Sequence, residues 1–170
     1  VHRLLEEDNL VNGTRLFGNL FLDFKLTSHL QFRSQVGINN YLSENRYYAP
    51  ADMITVGFPD GYASISNGKQ TYWQNENYFT YIRQFGSHRL NGVLGASWQQ
   101  NLASGNAMSA RGFTNDFFSF NNIGAASTQN PSTSYANDWS MNSYFSRATY
   151  TYKDRYTATF SGRMDGSSRF

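Results

Sequence analysis

Three observations in this 170-residue sequence predict an all-β protein, an antiparallel up-and-down meander of about six strands of the transmembrane β-barrel type. Six runs alternate between two unlike faces, residue by residue. Each run is about ten residues or more, beyond the five or six usual in a soluble sheet and near the 9–11 that a tilted strand needs to cross a bilayer. The links between runs alternate strictly, short then long, as periplasmic turns and extracellular loops do in outer-membrane barrels.

The first run, residues 14–24, puts Leu16, Leu20, Leu22 and Phe24 on one face and Arg15, Phe17, Asn19, Phe21 and Asp23 on the other. Its two faces are less distinct than those of residues 29–40, where Leu30, Phe32, Val36 and Ile38 oppose Gln31, Arg33, Gln35 and Asn39. Residues 72–84 set Tyr78, Thr80 and Ile82 against Asn77, Phe79, Tyr81 and Arg83, which leaves the membrane face open. In residues 89–100, Leu90, Gly92, Leu94, Ala96 and Trp98 oppose Arg89, Asn91, Gly95, Ser97 and Gln99. Residues 140–152 oppose Tyr144, Ala148, Tyr150 and Tyr152 to Ser143, Phe145, Arg147 and Thr149. The last run, 155–166, opposes Tyr156, Ala158, Phe160 and Met164 to Thr157, Thr159, Arg163 and Asp165.

The links Lys25–Ser28, Phe85–His88 and Lys153-Asp154 are short; Tyr41–Thr71 and Asn101–Trp139 are long. A soluble domain would not be expected to hold structureless loops of about 30 residues. The short links are assigned to the periplasmic side, so residues 14–24 run inward and residues 29–40 outward. Tyr152 and Tyr156 beside one short turn, and Trp98 near the far end of its strand, fit interfacial girdles.

Composition agrees. Aromatic residues make up 17 % and charged residues only 15 %, and mean hydropathy is −0.58. No segment approaches the ~20 apolar residues of a membrane helix, but a barrel strand shows lipid only alternate residues. Cysteine is absent, which excludes disulfides, thiolate nucleophiles and thiolate metal sites. A net charge of +2 without a Lys/Arg stripe gives no basis for nucleic-acid binding. The chain opens without a signal peptide, so an exported protein of this type is expected to be an internal piece of a longer chain.

No catalytic constellation is expected, and no cofactor. His2, His29 and His88 are far apart in sequence and lack a third ligand type beside them. Ser140, Ser143 and Ser146 have no adjacent base. Glu6-Glu7-Asp8 reads as a solvated cluster, and Asp52 and Asp60, near Asn45 and Asn67, read as turn residues because no D-x-D-x-D spacing supports calcium. The candidate binding residues are the aromatics of the long links: Tyr47, Tyr48, Phe58, Tyr62, Tyr72 and Trp73 in one, Phe113, Phe117, Phe118 and Trp139 in the other. Flat rings among amides suit sugars or peptides; packing of the links against one another or against a partner protein is the competing reading. Gln31, Arg33, Gln35, Arg147, Arg163 and Asp165 are the chief candidates for the barrel lumen.

The chain ends in Arg163-Met164-Asp165-Gly166-Ser167-Ser168-Arg169-Phe170, after an aromatic strand. This resembles the R-x-D-G-S-S-R-F signature of the SusC/RagA-like TonB-dependent transporters of Bacteroidetes-type outer membranes. Tyr150-Thr151-Tyr152-Lys153-Asp154-Arg155-Tyr156 resembles the family's aromatic-flanked turn, and the stretches Gly86–Asn91 and Gly95–Gln99 resemble one of its hairpins. Met164 departs from the family, which often has Arg or a small residue there. The resemblance implies a partial barrel over residues 1–170, without plug, TonB box or C-terminal strand. It implies import of glycans or peptides, a SusD-like surface lipoprotein as partner, and coupling to TonB through the plug. A soluble carbohydrate-binding β-sandwich, or another barrel such as a porin or adhesin, is the alternative. The sandwich should have shorter strands, and a closed barrel should have at least about eight.

Overall fold

In the computed structural model, residues 7–51 and 60–169 are described; His2, Glu6, Asp52, Phe58 and Phe170 lie outside them. Six long strands form one antiparallel meander in chain order: β1 (Asp8–Lys25), β2 (Leu30–Ala49), β3 (Tyr62–Phe85), β4 (His88–Arg111), β6 (Thr133–Tyr152) and β7 (Tyr156–Ser167). A two-residue strand, β5 (Thr128–Gln129), follows a short 3-10 helix (Ser119–Ala125) and pairs with the end of β4 through Ala110↔Gln129 and Arg111↔Thr128. The register of the last hairpin runs from Met141↔Ser167 to Tyr152↔Tyr156.

The strands overrun the predicted runs at the ends away from the short turns. β3 begins at Tyr62, not near residue 72, and β4 continues to Arg111, not residue 100. Tyr47, Tyr48, Tyr62, Tyr72, Trp73 and Trp139, expected in or at the edges of loops, therefore stand on strands, while Phe117 and Phe118 precede the 3-10 helix. The physical reason is that hydrophobic alternation marks only the part of a strand with one face against lipid. Beyond it both faces are wet, so a stretch such as Ser64-Ile65-Ser66-Asn67-Gly68-Lys69-Gln70 loses the pattern but keeps its backbone pairing.

The chain divides into two compact units. The first comprises the stretch up to Arg15, Asn40–Gln70 and Leu102–Asn137. It holds a small core in which Ala63, Ala110, Phe113 and Ala126 surround Tyr48, with Phe120 and Ile123 packed against it. Tyr48 and Phe113 meet edge to face at 5.3 Å, and the Tyr48 hydroxyl donates to Asp116. The Gly112 N–H donates to Gly61 O and the Phe113 N–H to Asp60 O, at 3.2 and 3.0 Å. Gly61 and Gly112 have φ of +76° and +81°, conformations that a side chain would strain, and both sit where a long strand meets its connection.

The second unit comprises Leu16–Asn39, Thr71–Asn101 and the stretch from Asp138 onward. It has a different character: apolar side chains stay exposed, with Leu16 at 68 %, Met164 at 68 % and Phe160 at 73 % of full accessibility. The connections here are tight. Leu26 and Thr27 both donate to Leu30 O, Gly86-Ser87 makes a two-residue hairpin, and Lys153-Asp154 turns with both residues at positive φ.

Candidate functional site

Side-chain contacts sort the second unit into two faces. On one, Phe24 lies 6.2 Å from Phe32, and Phe32 lies 4.9 Å from Phe79. A Cβ on Gly92 would touch Tyr81. This apolar face therefore carries the odd residues of β3, Phe79 and Tyr81, which alternation alone does not sort. Leu30, Leu94, Ala148 and Phe160 border one groove on it.

The other face is stitched by polar groups. Arg33 grips Asp23 with two hydrogen bonds of 2.6 Å and lies 4.8 Å from the Phe21 ring centre. Gln35 donates to Glu76 at 3.0 Å. Arg163 donates to Asp165 at 2.8 Å and to the buried Ser143 hydroxyl at 3.0 Å. Gln31 and Arg147 alternate onto this face beside Arg33 and Ser143. The predicted lumen residues thus share one surface, with Arg33 and Arg163 satisfied by neighbours on the wall. Aromatic residues also enter it: Tyr78 and Phe145 lie 6.5 Å apart, over Gly95.

Gly95 is needed there for space. A Cβ would stand 2.5 Å from the Phe145 ring and 2.6 Å from Tyr78 Cβ, and the latter cannot swing away. Gly95→Val is expected to destabilise the parent barrel by about 1–3 kcal/mol. Phe145→Ala in the same chain should restore part of that loss, so fully additive losses in unfolding measurements would contradict the packing described.

The same face gathers Tyr72, Trp139 and Arg169. The Tyr72 and Trp139 rings are 6.3 Å apart, and the Arg169 guanidinium lies 5.4 Å from the Trp139 ring centre. The Tyr72 hydroxyl donates to Gln74 at 3.0 Å. Sequence reasoning singled out Tyr72 and Trp139 but missed Arg169 as their neighbour. The signal was present: Trp139 and Arg169 flank Ser140 and Ser168, whose backbones pair through a 3.0 Å bond. Trp73, one residue from Tyr72, points to the opposite face, and its indole N–H donates to Gln100 at 3.0 Å.

The remaining aromatic candidates belong to the first unit. Tyr47 and Tyr62 are 6.2 Å apart. Burial first, and then the Glu7 carboxylate beside it, raise the Tyr47 phenol above its ordinary value and keep it a neutral hydroxyl. Tyr48 is core. Phe117 and Phe118 meet edge to face at 5.0 Å, with Phe117 84 % exposed. Among the described residues, no three His, Asp or Glu side chains cluster to hold a metal.

The signature at the chain end also acquires a structural sense. Asp165 and Gly166 pair with Ser143 and Asn142. The Ser140 N–H donates to the Ser168 hydroxyl at 2.9 Å, and the Arg169 N–H donates to Ser167 at 3.2 Å. Arg163, Asp165, Ser167 and Ser168 fasten the end of β7 to the wall, and Arg169 is delivered to the Trp139 ring.

A single-layer antiparallel sheet, apolar on one face and cross-linked by polar groups on the other, is the wall of an outer-membrane β-barrel. The chain is 31 % identical over 153 residues to TonB-dependent receptor P3 of Formosa agariphila, a match that covers 89 % of this chain and 15 % of that protein. TonB-dependent receptor P26 of the same organism is 38 % identical over 112 residues, covering 65 % and 11 %. TonB-dependent receptor P39 is 30 % identical over 167 residues, covering 94 % and 16 %. Among solved structures, the RagAB peptide transporter superposes with a TM-score of 0.89 at 18 % identity, over 98 % of this chain and 19 % of that one. BauA, the ferric preacinetobactin receptor of Acinetobacter baumannii, gives 0.55 at 12 % identity, over 94 % and 26 %. No protein-family model matches the chain. The chain belongs to the TonB-dependent receptors, proteins of the outer membrane, and its fold is that of the matching part of the RagAB transporter. TonB-dependent receptors are not enzymes. The chain spans between 11 % and 16 % of the length of these relatives.

Proposed function

We propose that this chain is a stretch of barrel wall in a transporter that imports glycans or peptides. TonB drives that transport through the plug of the parent protein, and a SusD-like surface lipoprotein caps the end where the long connections lie. The observation that carries the reading is the Tyr72–Trp139–Arg169 group on the polar face. Two rings held on strands lose little freedom when a ligand stacks on them, and the Gln74 amide and the guanidinium offer hydrogen bonds to a hydroxyl or a peptide carbonyl. The exposed Phe117 and Phe118 serve as contacts for the lipoprotein cap.

In the full-length protein, Trp139→Ala is expected to weaken substrate binding about tenfold, the worth of one stacked ring with its area, while barrel melting stays near the parent value. Trp73→Ala should lower barrel stability and leave uptake intact, because its ring stands on the apolar face. Uptake of oligosaccharide and peptide mixtures by whole cells, with pull-down of the lipoprotein, checks both. Normal uptake and normal cap binding in Trp139→Ala would reject the reading.

A further inference from the structure

We infer that the first unit carries a saccharide-binding surface of its own, a tyrosine-rich face of the sheet that holds a neutral oligosaccharide on its way to import, a role that rests on the transporter reading above. The strands of this unit have two unlike faces. One carries Tyr48, Ala63 and Ala110 and is covered by Phe113, Phe120 and Ala126. Residues one step along each strand point the other way. That opposite face takes Tyr41 and Tyr47 from β2, Tyr62 from β3 and Tyr135 from β6.

Two of these rings lie flat on the wall. A Cβ on Gly13 would stand 3.1 Å from the Tyr41 hydroxyl and 3.4 Å from its Cε2. A Cβ on Gly105 would stand 2.6 Å from Tyr135 Cε1 and 2.9 Å from its Cζ. Each ring therefore leans across the neighbouring strand, with one face on a glycine and the other turned outward. Tyr41 stays 42 % and Tyr135 56 % exposed. Tyr41 rests on β1 and Tyr135 on β4, three strand spacings or about 14 Å apart. Between them the surface stays low, since Gly68 adds no side chain and its Cβ would strike Ser43 Oγ at 2.6 Å. Tyr47 and Tyr62, 6.2 Å apart, stand further along the same face.

The residues among the rings are hydroxyls and amides: Ser43, Asn45, Ser64, Ser66 and Gln70 alternate onto this face. Among its described strand residues the charges are Arg15 and Arg111, at opposite ends. Tyrosine set among Ser, Asn and Gly makes a surface of rigid rings and adaptable hydrogen bonds, which loses little entropy on binding. Outward ring faces suit the C–H surface of a sugar ring, and the neutral hydrogen-bonding groups suit its hydroxyls. An extended peptide is held through a sheet edge, apolar pockets or charges for its termini, and the middle of this face offers none of them.

The test uses the full-length receptor in mild detergent, examined by native mass spectrometry. The probes are short neutral oligosaccharides released from starch, mannan, xylan and laminarin, and a tryptic digest of casein. Uptake of the same mixtures by whole cells runs beside it. The wild type is expected to retain an oligosaccharide in preference to peptides. The double variant Tyr41→Ser/Tyr135→Ser should bind it about thirtyfold more weakly, the worth of two stacked rings. Its half-maximal uptake should move to higher concentration at an unchanged maximal rate. Tyr41→Phe/Tyr135→Phe keeps both ring faces and should bind within about twofold of the wild type. Should the serine pair fold poorly, Tyr135→Ser alone decides, with a loss of about fivefold. Unchanged binding in the serine variants, an equal loss in the phenylalanine pair, or peptides retained in place of oligosaccharides overturns the assignment. Weaker binding with unchanged uptake also overturns it and gives the face to a glycan of the cell surface. Trp139→Ala keeps the two readings apart: if it alone impairs uptake, the transporter reading stands and the tyrosine face fails.

Discussion

In the full-length receptor, Phe160→Arg is expected to destabilise the folded barrel by about 2–4 kcal/mol, and Thr159→Arg by a small fraction of that. The two residues are neighbours on β7, so backbone position, strand propensity and chain connectivity are shared. What differs is the face. Phe160 pairs with Ala148, borders the apolar groove and is 73 % exposed in the absence of lipid. An arginine there must drag its charge to the interface or thin the bilayer. Thr159 pairs with Thr149 on the polar face, where the two hydroxyls lie 3.2 Å apart. An arginine there loses that bond but stays on the polar face, where water reaches its charge. Reversible unfolding in lipid vesicles measures both, and similar losses for the two variants would show that the faces have been exchanged.

The sorting of faces shows which physics the sequence displays. Residues 30–38 are legible because Leu30, Phe32, Val36 and Ile38 share one face, with Ser34 between them, while Gln31, Arg33 and Gln35 share the other. Residues 72–84 are not, because aromatics stand on both faces: Phe79 packs on Phe32, while Tyr78 packs with Phe145 over Gly95. A barrel interior accepts rings wherever a glycine on the next strand makes room, and that pairing is invisible until register is known. Strand ends failed for a different reason. Nothing in Ser64–Gln70 or Leu102–Ala110 separates two unlike solvents, so hydrophobic period is silent there while the backbone ladder continues. The same gap hid the site. Tyr72 and Trp73 stand together where the long link re-enters the wall; on the strand they point opposite ways, one toward Trp139 and one toward Gln100. The identity of the family was legible because its signature is made of contacts within one hairpin, Arg163 to Asp165 and Ser143 and Ser168 to Ser140, which depend on no distant partner.

Produced alone in plain buffer, the 170-residue chain is expected to aggregate, and to form its sheet only in detergent or lipid. Two liabilities lead to this. The first is the apolar face, where Leu16, Leu20, Tyr156, Phe160 and Met164 are each more than two-thirds exposed. Among the described residues, the core that could offset it is the small group around Tyr48 and Phe113 in the first unit. The second is the pair of sheet edges. β1 and β7 each have a neighbour on one side only, so both present a row of unpaired N–H and C=O groups along exposed strands. Detergent answers the first liability but not the second, so even solubilised chains should tend to join edge to edge. Charged replacements at Leu20 and Phe160 should therefore reduce, yet not abolish, aggregation in buffer. Size-exclusion chromatography with circular dichroism, with and without detergent, follows each step. A monodisperse monomer in plain buffer with a cooperative melt would mean that the apolar side chains are buried against one another in a second layer, and the soluble sandwich would then be the correct architecture.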